Sequence, residues 1–301
     1  MSNTRAWISS LRLRTLPLAL SGILMGSFLA VEYRLFNLKI FVLTSVTAIL
    51  LQILSNLAND YGDAMHGADN SDRIGPNRGL QSGEISRIQL RRAIILTIIL
   101  ALIAGCFLLT IAANGNSWFF FSFLLLGLLC IAAAIFYTVG KRPYGYTGLG
   151  DISVFIFFGL VAVAGTFYLY AHALKTDIFL PAAAIGFLSA GVLNINNMRD
   201  RNTDEAAGKH TLVVRIGVAN AKRYHTALII LATAFLSFYS YLHYELPFLW
   251  LFLSSAPLLL VNVLGILKKD PAKIDKYLKQ LAIATIVLTL AFGAGIILGT
   301  G

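Results

Sequence analysis

Nine runs of about twenty predominantly apolar residues divide this chain, each long enough to cross a bilayer core of roughly 30 Å as a helix. They fall near Thr15–Val31, Ile40–Ala58, Ala93–Ala113, Trp118–Thr138, Gly150–His172, Ile178–Asn197, His225–Leu242, Pro247–Leu267 and Leu281–Gly299. In lipid, every backbone N–H and C=O must be satisfied within the protein, and a helix does this inside each segment. The expected fold is therefore an all-α membrane protein: nine transmembrane helices in one bundle with a cytoplasmic-side active-site cap, a single domain over residues 1–301. Composition agrees, with 57% apolar and 13% charged residues where a soluble domain carries about a quarter charged. The first run follows Arg5, Arg12 and Arg14, as the core of a signal peptide would. It is long for such a core and has no small-x-small cleavage site, so a retained helix is expected.

The net charge of +10 does not point to nucleic acid, because the basic residues sit in short loops between apolar runs. Of the 24 Lys and Arg, 21 precede helix one or fall in the connections after helices two, four, six and eight; only Arg34, Lys39 and Lys175 lie on the other side. Basic loops stay cytoplasmic. The N-terminus and the even-numbered connections are thus expected inside a bacterial inner membrane, with the C-terminus outside. Cys106 and Cys130 lie within apolar runs and read as buried structural thiols, supporting neither a disulfide framework nor a zinc site.

The acidic residues are as unevenly placed. Helix two ends in Asn56-Leu-Ala-Asn59-Asp60-Tyr61-Gly62-Asp63, followed by Asp69 and Asp72. Offsets of 0, +3, +4 and +7 put Asn56, Asn59, Asp60 and Asp63 on one helical stripe. Helix six ends in Asn194-Ile-Asn196-Asn197-Met-Arg199-Asp200, then Asp204, and Asn197, Asp200 and Asp204 read as a second stripe. Ordinary helix caps would place carboxylates at N-termini, where the dipole favours them. These clusters sit at C-terminal ends, and crowded carboxylates destabilise one another unless a cation neutralises them. Both lie on the cytoplasmic side, so they can face each other across one pocket.

An oxygen-only donor set without His or Cys suits Mg²⁺, Mn²⁺ or Ca²⁺. Mg²⁺ is commonly held by a few carboxylates together with phosphate oxygens of a substrate, and Lys141, Arg142, Arg199 and Lys209 are placed to take the remaining phosphate charge. The arrangement reads as a metal–diphosphate clamp at the membrane surface, with apolar helices for a lipid remainder. Ala207-Gly208-Lys209-His210-Thr211 imitates a phosphate-binding loop, but the Gly required five positions before Gly208 is Thr203 and no strand precedes it.

At this point the sequence resembles the UbiA superfamily of intramembrane aromatic prenyltransferases. Asn59-Asp60-x-x-Asp63 is similar to its first Asp-rich motif, Asp200-x-x-x-Asp204 to its second, and Tyr137-Thr-Val-Gly-Lys141-Arg142 to the Tyr-x-x-x-Lys element between them. Further stretches resemble the branch that prenylates 1,4-dihydroxy-2-naphthoate: Arg14-Thr15-Leu16-Pro17, Asp72-Arg73-Ile-Gly75-Pro76 with Arg78, Gln81-Ser-Gly83, Tyr144-Gly-Tyr146 through Asp151, and Ala207-Gly208-Lys209-His-Thr211. The superfamily usually has a third Asp four residues after the second, but position 67 is Gly and the next acid is Asp69, a spacing that resembles the naphthoate branch.

The resemblance implies nine helices and an outside C-terminus. It also implies Mg²⁺ held against a polyprenyl diphosphate by Asp60, Asp63, Asp200 and Asp204 with Asn56, Asn59 and Asn197. Arg73, Lys141, Arg142, Arg199 and Lys209 would neutralise the diphosphate, and Arg78 is a candidate for the acceptor's carboxylate, with phosphate contact or helix capping as alternatives. Tyr61, Tyr137 and Tyr144 are the aromatics nearest the motifs that could face an allylic cation. Other aromatics read as lipid-facing, His66 and His210 as solvated loop residues, and His172, His225 and His243 as interfacial. Gly22-x-x-x-Gly26 and Gly295-x-x-x-Gly299 are expected to allow close helix contact. Relatives prenylating 4-hydroxybenzoate, homogentisate, a haem or a chlorophyllide are the alternative within the class. A cation-coupled transporter is the alternative outside it, disfavoured because the acids gather at one face instead of at the midplane.

Overall fold

The computed structural model describes residues 2–67 and 78–300, without side chains for Ser2 and Asn3. Asp69, Asp72, Arg73, Gly75 and Pro76 therefore lie outside the described residues. Among those described there are helices only, nine of them long and apolar enough to span a membrane. A short helix α1 (Ser2–Leu11) precedes α2 (Leu16–Glu32), α3 (Leu38–Met65), α4 (Arg87–Ala113) and α5 (Ser117–Phe136). Then come α6 (Gly150–Ala171) and α7 (Phe179–Arg199), a two-turn α8 (Arg201–Ala206), α9 (Leu212–Leu242), α10 (Pro247–Lys268) and α11 (Asp275–Thr300). The expected apolar runs are all present, and the structure adds α1, which lies across the polar end with Ala6 packed on Leu57, Ile85 and Leu90.

Local chemistry sets the helix ends. Asn37, Asn116 and Thr211 accept backbone N–H groups at the starts of α3, α5 and α9, and Ser86 with Gln89 forms a reciprocal cap on α4, each satisfying donors that a helix cannot. The second span differs in extent from the apolar run: α3 continues through the polar stripe to Met65. The seventh starts thirteen residues earlier than its apolar run, at Leu212, with a break at Gly217 (φ 76°). His225 is correspondingly no interfacial residue; it is fully buried in α9, its Nε2 2.8 Å from Asn262 Oδ1.

Helix α7 is the axis of the bundle, packed on α6, α9, α11 and α2. The contacts are close because glycines remove the side chain where backbones meet. A Cβ on Gly159 would sit 2.6 Å from Gly186 Cα, one on Gly26 2.5 Å from Val163 O, and one on Gly295 2.2 Å from Phe248 O, which bears out both Gly-x-x-x-Gly expectations. Within α6, residues Phe155–Gly165 form a π-helical stretch, a wide turn found at functional sites. On the other flank α5 packs on α3 and α4 but scarcely touches α6. That gap is where the main cavity lies.

Candidate active site

A cavity of about 410 Å³ runs from the polar ends of α3 and α7 into the gap between α5 and α6. Its polar mouth is lined by Asn56, Asn59, Asp63, Asn197, Asp200 and Asp204, joined by Arg12, Arg14, Arg78 and Lys209. Its deeper wall is apolar, formed by residues such as Leu51, Leu109, Leu124, Ile131, Phe157 and Val161, with Cys106 and Cys130 half-buried along it.

The two stripes do converge, though not as two uninterrupted helical faces. Asn56, Asn59 and Asp63 line the cavity, whereas Asp60, fully buried, does not. It points aside toward Arg12 Nη2 at 2.5 Å and Arg78 Nε at 3.2 Å. On the other side α7 stops at Arg199, Asp200 sits at the break (φ −93°, ψ 7°), and Asp204 belongs to α8. The Asp204 backbone N–H still donates to Asp200 O at 2.8 Å, so the two carboxylates keep near-helical spacing and reach the same cavity.

Each acid is held by cations and hydroxyls. Asp63 accepts from Arg78 Nη1 (2.7 Å), Lys209 Nζ (2.9 Å) and Tyr146 Oη (2.7 Å). Lys209 also lies 3.2 Å from Asp204 Oδ1, tying α3 to α8, and stands 4.6 Å over the Tyr146 ring. Burial pushes the Asp204 carboxyl up to about 6 although Lys209 and its charge oppose this. Lys209 itself is raised: its burial alone would lower it, but the Asp63 and Asp204 charges outweigh that. Asp200 accepts from Arg199 Nε at 2.7 Å, and Arg199 reaches Asn196 Oδ1 and Asp275 as well. Asp275 in turn binds Arg14 at 3.2 Å, linking the cavity wall to α11.

The intervening loop is pinned against α3. Gly62 allows this, since a Cβ there would lie 2.5 Å from Thr138 O, and Thr138 Oγ1 donates to Ala58 O at 3.0 Å. Tyr137 and Tyr144 line the cavity. Lys141 and Arg142 are exposed and off its wall. Arg199, fully buried, is also off the wall and touches the site through Asp200. Sequence reasoning missed Arg12, Arg14, Tyr146 and Asp275; the first three stand in stretches read for orientation or resemblance, and Asp275 carried no signal of its own.

The donors suit a hard divalent cation: all are oxygens, and the buried Asp60 Oδ2 has no hydrogen-bond partner among the described residues. Among those residues no three carboxylate, His or Cys groups converge tightly enough to enclose an ion alone.

The model of the UbiA prenyltransferase family matches residues 19–286. The chain belongs to the UbiA prenyltransferase family. It is 46% identical to 1,4-dihydroxy-2-naphthoate octaprenyltransferase of Escherichia coli (strain K12), over 99% of this chain and 97% of that one. Among solved UbiA structures, the apo homologue from Aeropyrum pernix K1 superposes with a TM-score of 0.66 at 18% identity, covering 96% of this chain and 99% of the other. The Archaeoglobus fulgidus homologue bound to GPP and Mg²⁺ gives 0.62 at 17% identity, covering 99% and 100%. The solved structures show the same fold, and the family match with the 46% identical relative shows the prenyltransferase class.

Proposed function

We propose that this enzyme transfers a polyprenyl group from a polyprenyl diphosphate to 1,4-dihydroxy-2-naphthoate, releasing diphosphate and CO₂. The observation that carries the reading is a single cavity with a mouth of paired acids and bases and an interior that is apolar, shaped for a substrate with a charged head and a hydrocarbon tail. The 46% identity to an enzyme named for this acceptor supports the naphthoate over other aromatics.

Asp63, Asp200 and Asp204, with Asn56, Asn59 and Asn197, would hold Mg²⁺, which supplies positive charge to a diphosphate leaving group; Asp60 would join them only once Arg12 and Arg78 release it. Arg78 and Lys209, already beside Asp63, would turn toward the diphosphate oxygens, with Arg73, Lys141 and Arg142 contributing from the loops. The allylic C–O bond breaks with its electron pair leaving on the diphosphate. The apolar wall excludes water from the cation, and Tyr137 and Tyr144 present ring faces or hydroxyls near it. The ring carbon that bears the carboxylate attacks the cation, and the bond to the carboxylate then breaks with its electron pair returning to the ring, so that CO₂ leaves and aromaticity is restored. Arg12, Arg14 and Arg78 are the cations at hand for that carboxylate before it leaves. The unit works as one domain over residues 1–301 in a bacterial inner membrane, with its mouth in the cytoplasm, since the basic loops share that end.

The test is a prenyl-transfer assay of the purified protein with naphthoate and 4-hydroxybenzoate side by side, with Mg²⁺ and with chelator. Equal or greater transfer to 4-hydroxybenzoate would overturn the acceptor, and undiminished transfer in chelator would overturn the metal.

A further inference from the structure

A second cavity of about 420 Å³ lies farther along the same gap. It shares Phe123, Leu126, Val161 and Gly165 with the first, so the two chambers meet at a neck made of two α5 residues facing two α6 residues. Beyond the neck, α5 and α6 are bracketed by an aromatic stack. Phe119 stacks on Phe123 at 4.7 Å between centroids and on Tyr168 at 5.7 Å, and its ring lies 4.4 Å from that of His172. The bracket joins two helices that otherwise scarcely meet.

Resting on the reading above, we propose that the second chamber is a binding site for the distal isoprene units of a long prenyl tail, and that the neck discriminates tails by length. The dimensions support it. At 1.5 Å per residue, the stretch of α5 from its end at Phe136, beside the mouth, to Phe123 at the neck runs roughly 20 Å. An extended chain advances about 1.2 Å per main-chain bond, so an isoprene unit of four such bonds spans roughly 5 Å. Tails of up to about four units end before the neck, and longer ones must pass it. The chamber walls suit a polyene: Phe119, Phe123, Tyr168 and Leu160 present ring faces and alkyl groups. The occupant is the substrate tail because the chamber shares Phe123, Leu126, Val161 and Gly165 with the substrate cavity.

Gly165 makes the idea testable. A Cβ there meets nothing nearer than Val161 Cγ1 at 4.0 Å, so a larger side chain projects into the neck without disturbing the packed face of α6. The experiment uses the full-length protein in detergent with geranyl, geranylgeranyl and octaprenyl diphosphates and the naphthoate acceptor, comparing wild type with Gly165→Leu and with Leu126→Trp on the opposite wall. The expected result is a fall of about tenfold or more in the octaprenyl-to-geranyl ratio of kcat/KM. An unchanged ratio in both variants overturns the neck, as does equal loss on all three donors in both. A wild type that transfers none of the donors to the naphthoate refutes the proposed function instead. The neck is then judged by melting temperature: octaprenyl diphosphate should stabilise wild type more than geranyl diphosphate does, and that excess should vanish in Gly165→Leu. Persistence of the excess overturns the neck independently of turnover.

Discussion

Replacing Lys209 with Met tests whether the two acidic stripes form one electrostatic unit. The ammonium lies 2.9 Å from Asp63 and 3.2 Å from Asp204, and the side chain is 12% exposed. Removing one partner of a buried ion pair costs about 3–5 kcal/mol, because the other charge is left uncompensated. Arg78 still neutralises Asp63, so the lower figure, about 3 kcal/mol, applies to Lys209→Met. For a large domain this is a fall of roughly 6 °C in Tm. Protonation can relieve the stranded Asp204, whose carboxyl is already pushed up to about 6 by burial, and loss of Lys209 pushes it further. A raised carboxylate means that the folded chain holds a proton the unfolded chain releases; the resulting stability is full at pH below the usual carboxylate range and is lost as pH rises through 6. The Tm deficit should therefore be larger at pH 8 than at pH 5.5. At pH 8, Mg²⁺ at a hundred times its Kd contributes about 2.7 kcal/mol to any state that binds it, and should return most of the deficit. The assay is thermal unfolding in detergent with and without Mg²⁺ at the two pH values. If Mg²⁺ stabilises neither protein, the acids do not form a metal-binding end; if it stabilises both equally, Lys209 does not compete with the metal for Asp63 and Asp204, and the single electrostatic unit is refuted.

Asp63→Ala and Asp200→Ala should each lower prenyl transfer by about a hundredfold or more, the scale of losing one group that stabilises developing charge; near-normal turnover in either sinks the paired-metal reading. Tyr146→Phe removes a 2.7 Å hydrogen bond to a charged acceptor worth about 1.5–3 kcal/mol, so at least tenfold less activity is expected, and a change under twofold would show that Tyr146 does not orient Asp63. Gly159→Ala forces a Cβ to 2.6 Å from Gly186 Cα and 2.7 Å from Ala182 O; neither neighbour is a flexible tip, so destabilisation of about 1–3 kcal/mol is expected, read as a lower Tm with donor selectivity unaltered.

The spans were legible because twenty apolar residues in a row admit few structures in lipid. The helical spacing of Asn56, Asn59 and Asp63 was legible for the same kind of reason: α3 runs on without interruption, so the period holds. The second stripe was harder, since nothing in the residue types around Asp200 announces that α7 stops there and α8 begins. Asp60 shows the limit of counting offsets. It shares a broad stripe with its neighbours but sits one residue past Asn59, about 100° around the helix, enough to turn it from the cavity toward Arg12 and Arg78. Arg12 and Arg14 were read as charges that set orientation, which they can be while also lining the cavity; a sequence does not say which neighbour a cation will find 48 residues away or more. Asp275 is an isolated acid in a basic loop, and only the fold brings it between Arg14 and Arg199.

These pairings change how substrate entry must proceed. The acids at the mouth, and Asp60 behind them, already have cations: Arg12 and Arg78 on Asp60, Arg78 and Lys209 on Asp63, Lys209 on Asp204, Arg199 on Asp200. A free diphosphate entering alone would compete with carboxylates for those same cations, and a free metal would compete with the cations for the carboxylates. Each exchange is unfavourable by itself, because it leaves one buried charge unpartnered. On the function proposed above, entry of metal and diphosphate together would satisfy both sets at once: the carboxylates would hold the metal while Arg78 and Lys209 would turn to phosphate oxygens. Binding should then be strongly cooperative, with Mg²⁺ tightening diphosphate affinity and diphosphate tightening Mg²⁺ affinity by the same factor, as linkage requires. Titrating inorganic diphosphate into the purified protein at low and high Mg²⁺, corrected for Mg²⁺–diphosphate complex in solution, measures that factor. A value near one would mean that the Arg and Lys pairs are fixtures of the fold and that the diphosphate is held by the loop residues Lys141 and Arg142 instead.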